Sequence, residues 1–99
     1  MSTDIEIELN DELEFEEPKK FKVFLLNDDY STMDFVIDVL VKVFRKTIDE
    51  ASAIMMNIHN NGRELCGVYT HEIAATKVSQ VKTMAREQGF PLKAVMEEE

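Results

Sequence analysis

The chain has 99 residues, 44% hydrophobic and 31% charged, with a formal net charge of −9; this is enough for one small domain and too little for a multi-step enzyme. No apolar run approaches the roughly 18 residues of a membrane span, and the acidic opening MSTDIEIELND is neither a secretory signal nor a transit peptide, so the expected location is the cytoplasm. The single cysteine, Cys66, cannot form an intrachain disulfide, and its place in the strand-like run LCGVYT favours a buried, inert thiol over a nucleophile.

The charge is segregated along the chain. Residues 1–17 hold eight acids and no Lys or Arg, and the last three residues are all Glu, which leaves nine acids against all 11 bases between them. The body is therefore near +2. Residues 1–19 read as a flexible acidic arm, closed where Pro18 biases Glu17 to extended geometry, and residues 20–96 as the core domain. Within the arm Ile5, Ile7 and Leu9 alternate with acids; such a period-2 segment can pair with a strand or surface, or merely solvate the protein.

KKFKVFLL follows, rich in aromatic and β-branched residues over a strand's length, and stops at Asn27-Asp28-Asp29. A helix then starts at Ser31 or Thr32, with Asp34, Asp38, Lys42 and Arg45 on its polar side and Phe35, Val36, Val39, Leu40 and Val43 on a wide apolar face. Thr47 and Glu50 make a capping box for a second helix through Ile54, Met55 and Ile58, which ends near His59-Asn60-Asn61 with Gly62 as a left-handed stop. ELCGVYT is the second strand. Thr70 can cap a third helix carried by Ile73, Ala74, Val78, Val81 and Met84, stopped by Gly89 with Pro91 beyond. LKAVM is the third strand. The order β-α-α-β-α-β predicts an α+β two-layer sandwich, a three-stranded antiparallel sheet covered on one face by three helices.

Catalytic signatures are missing. The three glycines form no nucleotide-binding loop, and no Cys or His pair has metal-ligand spacing. A hydrolytic site built from Asp28, Asp29 and His59 would lack an activated nucleophile and oxyanion donors. No cofactor is expected, and neither nucleic acid nor membrane as a partner. What remains is the NDD turn beside an apolar strand end, with Met55 and His59 one helical turn apart on the second helix. If that helix face meets the turn, Asn27, Asp28 and His59 would supply polar groups and Met33, Val36 and Met55 apolar walls, a match for a ligand with an ammonium beside a hydrophobe. The residues alone leave the plainer reading open: turn amides satisfied by Asn27 or Asp29, His59 at a helix C-terminus and Met55 in the core.

NDDYSTMDFVIDVL, MNIH at 56–59, GRELCGVYTHEIAATK at 62–77 and FPL at 90–92, in that order, resemble the ClpS family of bacterial N-degron adaptors over about residues 20–96. The resemblance implies the fold just derived and a non-catalytic adaptor that binds proteins bearing an N-terminal Leu, Phe, Tyr or Trp. It also implies delivery to the ClpA unfoldase of the ClpAP protease, an AAA+ partner engaged through its N-terminal domain. By the same resemblance Asn27 and Asp28 grip the α-amino group with help from His59, Met33, Val36, Met55 and Leu92 line the side-chain pocket, and Asp29 and Ser31 shape its mouth. Glu72 and Lys77 fall at positions that contact the unfoldase, and the arm acts in delivery. One departure is Ser31-Thr32 where the family usually has Thr-Pro; Thr32 can cap the helix in place of the proline's pre-set turn. The alternative is an interaction module of the same fold that does not read N-termini.

Overall fold

A computed structural model describes residues 17–99, so all but the last three residues of the acidic arm lie outside it. The element order is β1 (Lys20–Leu26), α1 (Met33–Lys42), α2 (Ile48–Asn61), β2 (Arg63–Thr70), α3 (His71–Gln88) and β3 (Lys93–Glu98). It is the expected β-α-α-β-α-β succession. The sheet is antiparallel in the order β2-β1-β3, with β1 at the centre paired on both sides.

Strand alternation sorts the sheet into two faces. Val23 and Leu25 of β1, Cys66 of β2 and Ala94 of β3 are buried with Phe35, Val36, Val39 and Leu40 of α1, Ala51, Met55 and Ile58 of α2, and Ala74, Val81 and Ala85 of α3. Each helix thus turns an apolar stripe to one shared core. Phe35 also stacks on Phe90, ring centroids 4.8 Å apart, which fastens the start of α1 to the turn after α3.

Local signals set the helix ends. Thr32 Oγ1 accepts the Phe35 amide at 3.1 Å, which fixes the α1 start on the threonine rather than on Ser31. The reciprocal Thr47 and Glu50 capping box opens α2, and left-handed Gly62 (φ 90°) and Gly89 (φ 76°) close α2 and α3. Thr70 occupies the N-cap position of α3 in extended geometry, but its side chain caps nothing.

Three features depart from the sequence reading or lie beyond it. The register of β1 against β2 shifts between Val23 and Phe24, which leaves Cys66 as the extra residue of a bulge. Its side chain is 1% exposed, and burial pushes the thiol up to about 12. Secondly, the terminal glutamates are not an appendage: Glu97 and Glu98 belong to β3 and pair with Arg63 at 2.6 Å and Lys19 at 3.6 Å. Thirdly, Lys77 Nζ donates to the Val43 carbonyl at 2.7 Å, so a side chain of α3 satisfies one of the open carbonyls at the end of α1.

Candidate functional site

Beyond Leu26 the chain must turn from β1 into α1, and one carboxylate organises that turn. Asp28 Oδ1 accepts the amides of Tyr30 at 2.8 Å and Ser31 at 2.6 Å, while Oδ2 accepts the Ser31 hydroxyl at 2.7 Å. This is an Asx turn reinforced by a side chain. Asn27 is held from the other side, its amide donating to the Gly62 carbonyl at 2.8 Å, so the turn leans on the end of α2. The NDD segment is therefore fixed by both neighbouring elements.

Between this turn, the first turns of α1 and the last turns of α2 lies a cavity of about 270 Å³, lined by Asn27, Asp28, Asp29, Ser31, Met33, Val36, Met55, Ile58 and His59. Polar groups gather at the turn and at His59. Val36, Met55 and Ile58 are buried and form the apolar wall, while Met33 is 53% exposed and stands at the rim. All three proposed polar partners, both mouth residues and three of the four proposed apolar ones thus share one cavity.

Leu92 does not join them. It is buried, but it lines a separate pocket with Val78 and Lys82 of α3, Pro91, Lys93 and Ala94. The approach to β3 lays it against α3 instead of the NDD turn. In its place stands Ile58, named from sequence only as part of the second helix; its spacing of three from Met55 puts it on the same helix face.

Electrostatically, burial raises the Asp28 pKa, but the hydrogen bonds from Ser31 and Tyr30 outweigh it and hold the carboxyl below its ordinary 3.8. Asp28 is thus a fixed anion at neutral pH. Its three bonds leave acceptor capacity, because an ionised carboxylate offers about four lone-pair sites. An apolar cleft with a charged acceptor at its mouth suits a cationic group attached to a hydrophobic one. Among the described residues no three His, Cys, Asp or Glu converge on a metal-sized site.

The two positions expected to meet an unfoldase lie away from this cavity. Glu72 is exposed in the first turn of α3. Lys77, bonded to Val43, also lies 5.7 Å from the centroid of the Tyr69 ring.

Comparison with known proteins converges on one family. Residues 16–95 match the family described as "ATP-dependent Clp protease adaptor protein ClpS". A ClpS adapter protein of Wolinella succinogenes is 55% identical over 96 residues, 97% of this chain and 94% of that protein. Another, from Acetivibrio thermocellus, is 52% identical over 87 residues, 88% of each chain. Among solved structures, Agrobacterium tumefaciens ClpS2 bound to L-phenylalaninamide superposes with a TM-score of 0.81 at 41% identity, over 84% of this chain and 100% of that one. Sequence along nearly the whole length and fold over the whole described core point the same way, and this chain belongs to the ClpS family, the adaptors of the ATP-dependent Clp protease.

Proposed function

We propose that this adaptor reads the N-terminal residue of other proteins and delivers those beginning with Leu, Phe, Tyr or Trp to the ClpA unfoldase of ClpAP. The observation that carries this reading is the single cavity in which the fixed Asp28 carboxylate, Asn27 and His59 stand beside the apolar wall of Val36, Met55 and Ile58. A free N-terminus with a large apolar side chain has that shape: an ammonium one carbon from a hydrophobe. The ligand of the Agrobacterium relative, L-phenylalaninamide, has the same pairing, with its carboxylate masked as an internal peptide bond would mask it.

The energies are adequate for an adaptor that must also release its cargo. Charge-assisted hydrogen bonds contribute about 1.5–3 kcal/mol each, and burial of a Leu or Phe side chain about 1.5–3 kcal/mol. After association costs this corresponds to binding in roughly the micromolar range or somewhat tighter. Delivery would use exposed Glu72 with Lys77 as the contact with the N-terminal domain of the unfoldase, and the acidic arm as the segment the unfoldase engages. The exposure of Glu72 supports the first part.

The test is fluorescence anisotropy with a peptide beginning in Phe beside the same peptide N-acetylated. Binding of the free amine alone is the expected result. Equal binding of both, or of neither, would overturn the reading and leave an interaction module that ignores N-termini.

A further inference from the structure

The face of the sheet turned away from the helices has a composition unlike the rest of the molecule. Register and burial place Lys20, Lys22, Phe24 and Leu26 of β1, Arg63, Leu65 and Val68 of β2, and Lys93, Val95 and Glu97 of β3 on it. Leu65 and Val68 are 38% and 39% exposed. The Arg63 guanidinium lies over the Phe24 ring, 4.1 Å from its centroid, and reaches across to Glu97. The result is an apolar strip, Phe24 with Leu65, Val68 and Val95, framed by four bases and one acid that is already paired. It gathers four of the chain's 11 bases on one surface.

The sequence carries a complement to it. Residues 1–17 hold eight acids and no base, with Ile5, Ile7 and Leu9 at alternate positions between Asp4, Glu6, Glu8 and Asn10. An extended segment of this pattern presents an apolar edge to the strip, while its carboxylates stay within reach of the long lysine stems at the border. Length permits it. Leu9 is ten residues from Lys19, a reach of up to about 33 Å, whereas the seven residues of β1 span about 23 Å. Covalent attachment through so short a tether gives an effective concentration on the order of millimolar, which favours this segment over any free partner of similar pattern.

We infer that the sheet face of Phe24, Leu65, Val68 and Val95 is the docking surface of the chain's own acidic arm, held by Ile5, Ile7 and Leu9 against the strip and by acids against Lys20, Lys22 and Lys93. The docking stands apart from whatever the Asn27 cavity binds. Its consequence is a stowed arm: the segment must leave the sheet before anything else can take hold of it, and added salt eases its release because exposed charge pairs are screened.

Amide NMR shifts of the full chain test this in both directions. Ile7→Ser should move the amides of Phe24, Leu65, Val68 and Val95 more than any in α1, α2 or α3. Reciprocally, Val68→Glu should move the amides of residues 5–9. Both sets of changes should be independent of protein concentration and should shrink in high salt. Unmoved sheet amides in Ile7→Ser, or changes confined to the helices, would overturn the docking. Shifts that grow with concentration would do so too, by assigning the face to a second copy's arm. Loss of folding in Val68→Glu leaves the Ile7→Ser comparison to decide.

Discussion

Asp28 has two tasks and one carboxylate. It holds the amides of Tyr30 and Ser31 and the Ser31 hydroxyl, and in the proposed function it also meets a ligand ammonium. The first task makes a pH prediction with a definite sign. Because the native pKa lies below 3.8, the carboxylate stabilises the fold in full above that value, and the contribution disappears as pH falls through the depressed native one. Asp28→Asn should therefore lose less stability than the parent between about pH 5 and pH 2, read as the urea midpoint at each pH. Identical pH profiles would show that the hydrogen bonds do not discriminate the charged form. The second task predicts that Asp28→Ala weakens binding of a Leu-starting peptide by about tenfold or more in calorimetry; unchanged affinity would remove Asp28 from the site. Met33 makes the specificity prediction. In the proposed function its thioether at the rim would crowd a ligand branched at Cβ but not Leu or Phe, so Met33→Ala should admit peptides beginning with Ile or Val, and continued rejection of both would place the selectivity elsewhere. At this scale the sequence was a good guide where neighbours in the chain make the site. Asn27, Asp28 and Asp29 are consecutive, and Met55 and His59 are one turn apart. It did not show that Leu92 lines a different pocket, because the environment of that side chain depends on how α3 crosses β3, a packing choice no local spacing encodes.

Helix α1 shows how ends are fixed by different ranges of interaction. Its start rests on Thr32, three residues from the amide it caps, and was legible to within one residue; the Thr47 and Glu50 box and the two glycine stops were legible outright, because each is a contact within one turn. Its far end is not local. Lys77 reaches Val43 across 34 residues, and Arg45 takes the left-handed conformation, φ 58°, that the sequence would assign to glycine. The strand bulge at Cys66 was illegible for the same reason, since register belongs to a pair of strands and not to either alone. Two predictions follow from this end of α1. Relief of about 1–2 kcal/mol of left-handed cost, set against roughly 0.5–1 kcal/mol of added chain entropy, makes Arg45→Gly stabilising by up to about 1.5 kcal/mol, visible as a higher urea midpoint at unchanged slope. A lower midpoint would contradict it. Lys77→Met should cost about 1 kcal/mol through the bare carbonyl, whereas Glu72→Ala, exposed and unbonded to the core, should change stability by only about 0.5 kcal/mol through the lost charge at the helix start. An unfoldase contact at Lys77 is separable from this structural role only if docking falls more than the stability loss explains, and Glu72→Ala provides that comparison.

For the molecule as a whole, cargo binding and cargo transfer should come apart. Among the described residues, none that lines the cavity belongs to the arm, so a chain lacking residues 1–17 should bind a Phe-starting peptide with nearly unchanged affinity while ClpAP degradation of a Phe-starting reporter collapses in a reconstituted assay. Normal degradation by the shortened chain would refute the arm's part in transfer. The fold class and the alternation of strands and helices were readable because one apolar face per element leaves few ways to build two layers. The positive outer sheet face was not, since it assembles bases from three strands that lie up to 73 positions apart, from Lys20 to Lys93. The bulge cysteine, finally, gives the whole molecule a chemical clock. Alkylating reagents need a thiolate; at 1% exposure and a pKa about 12, Cys66 offers them almost none while the sheet is closed, against an ordinary value of 9.0 once it opens. Its rate of modification in native buffer, divided by that of an unfolded peptide, therefore reports the fraction of time the core around Cys66 stands open. No label or engineered residue is required, and a ligand that steadies the sheet will slow the clock in proportion to its grip.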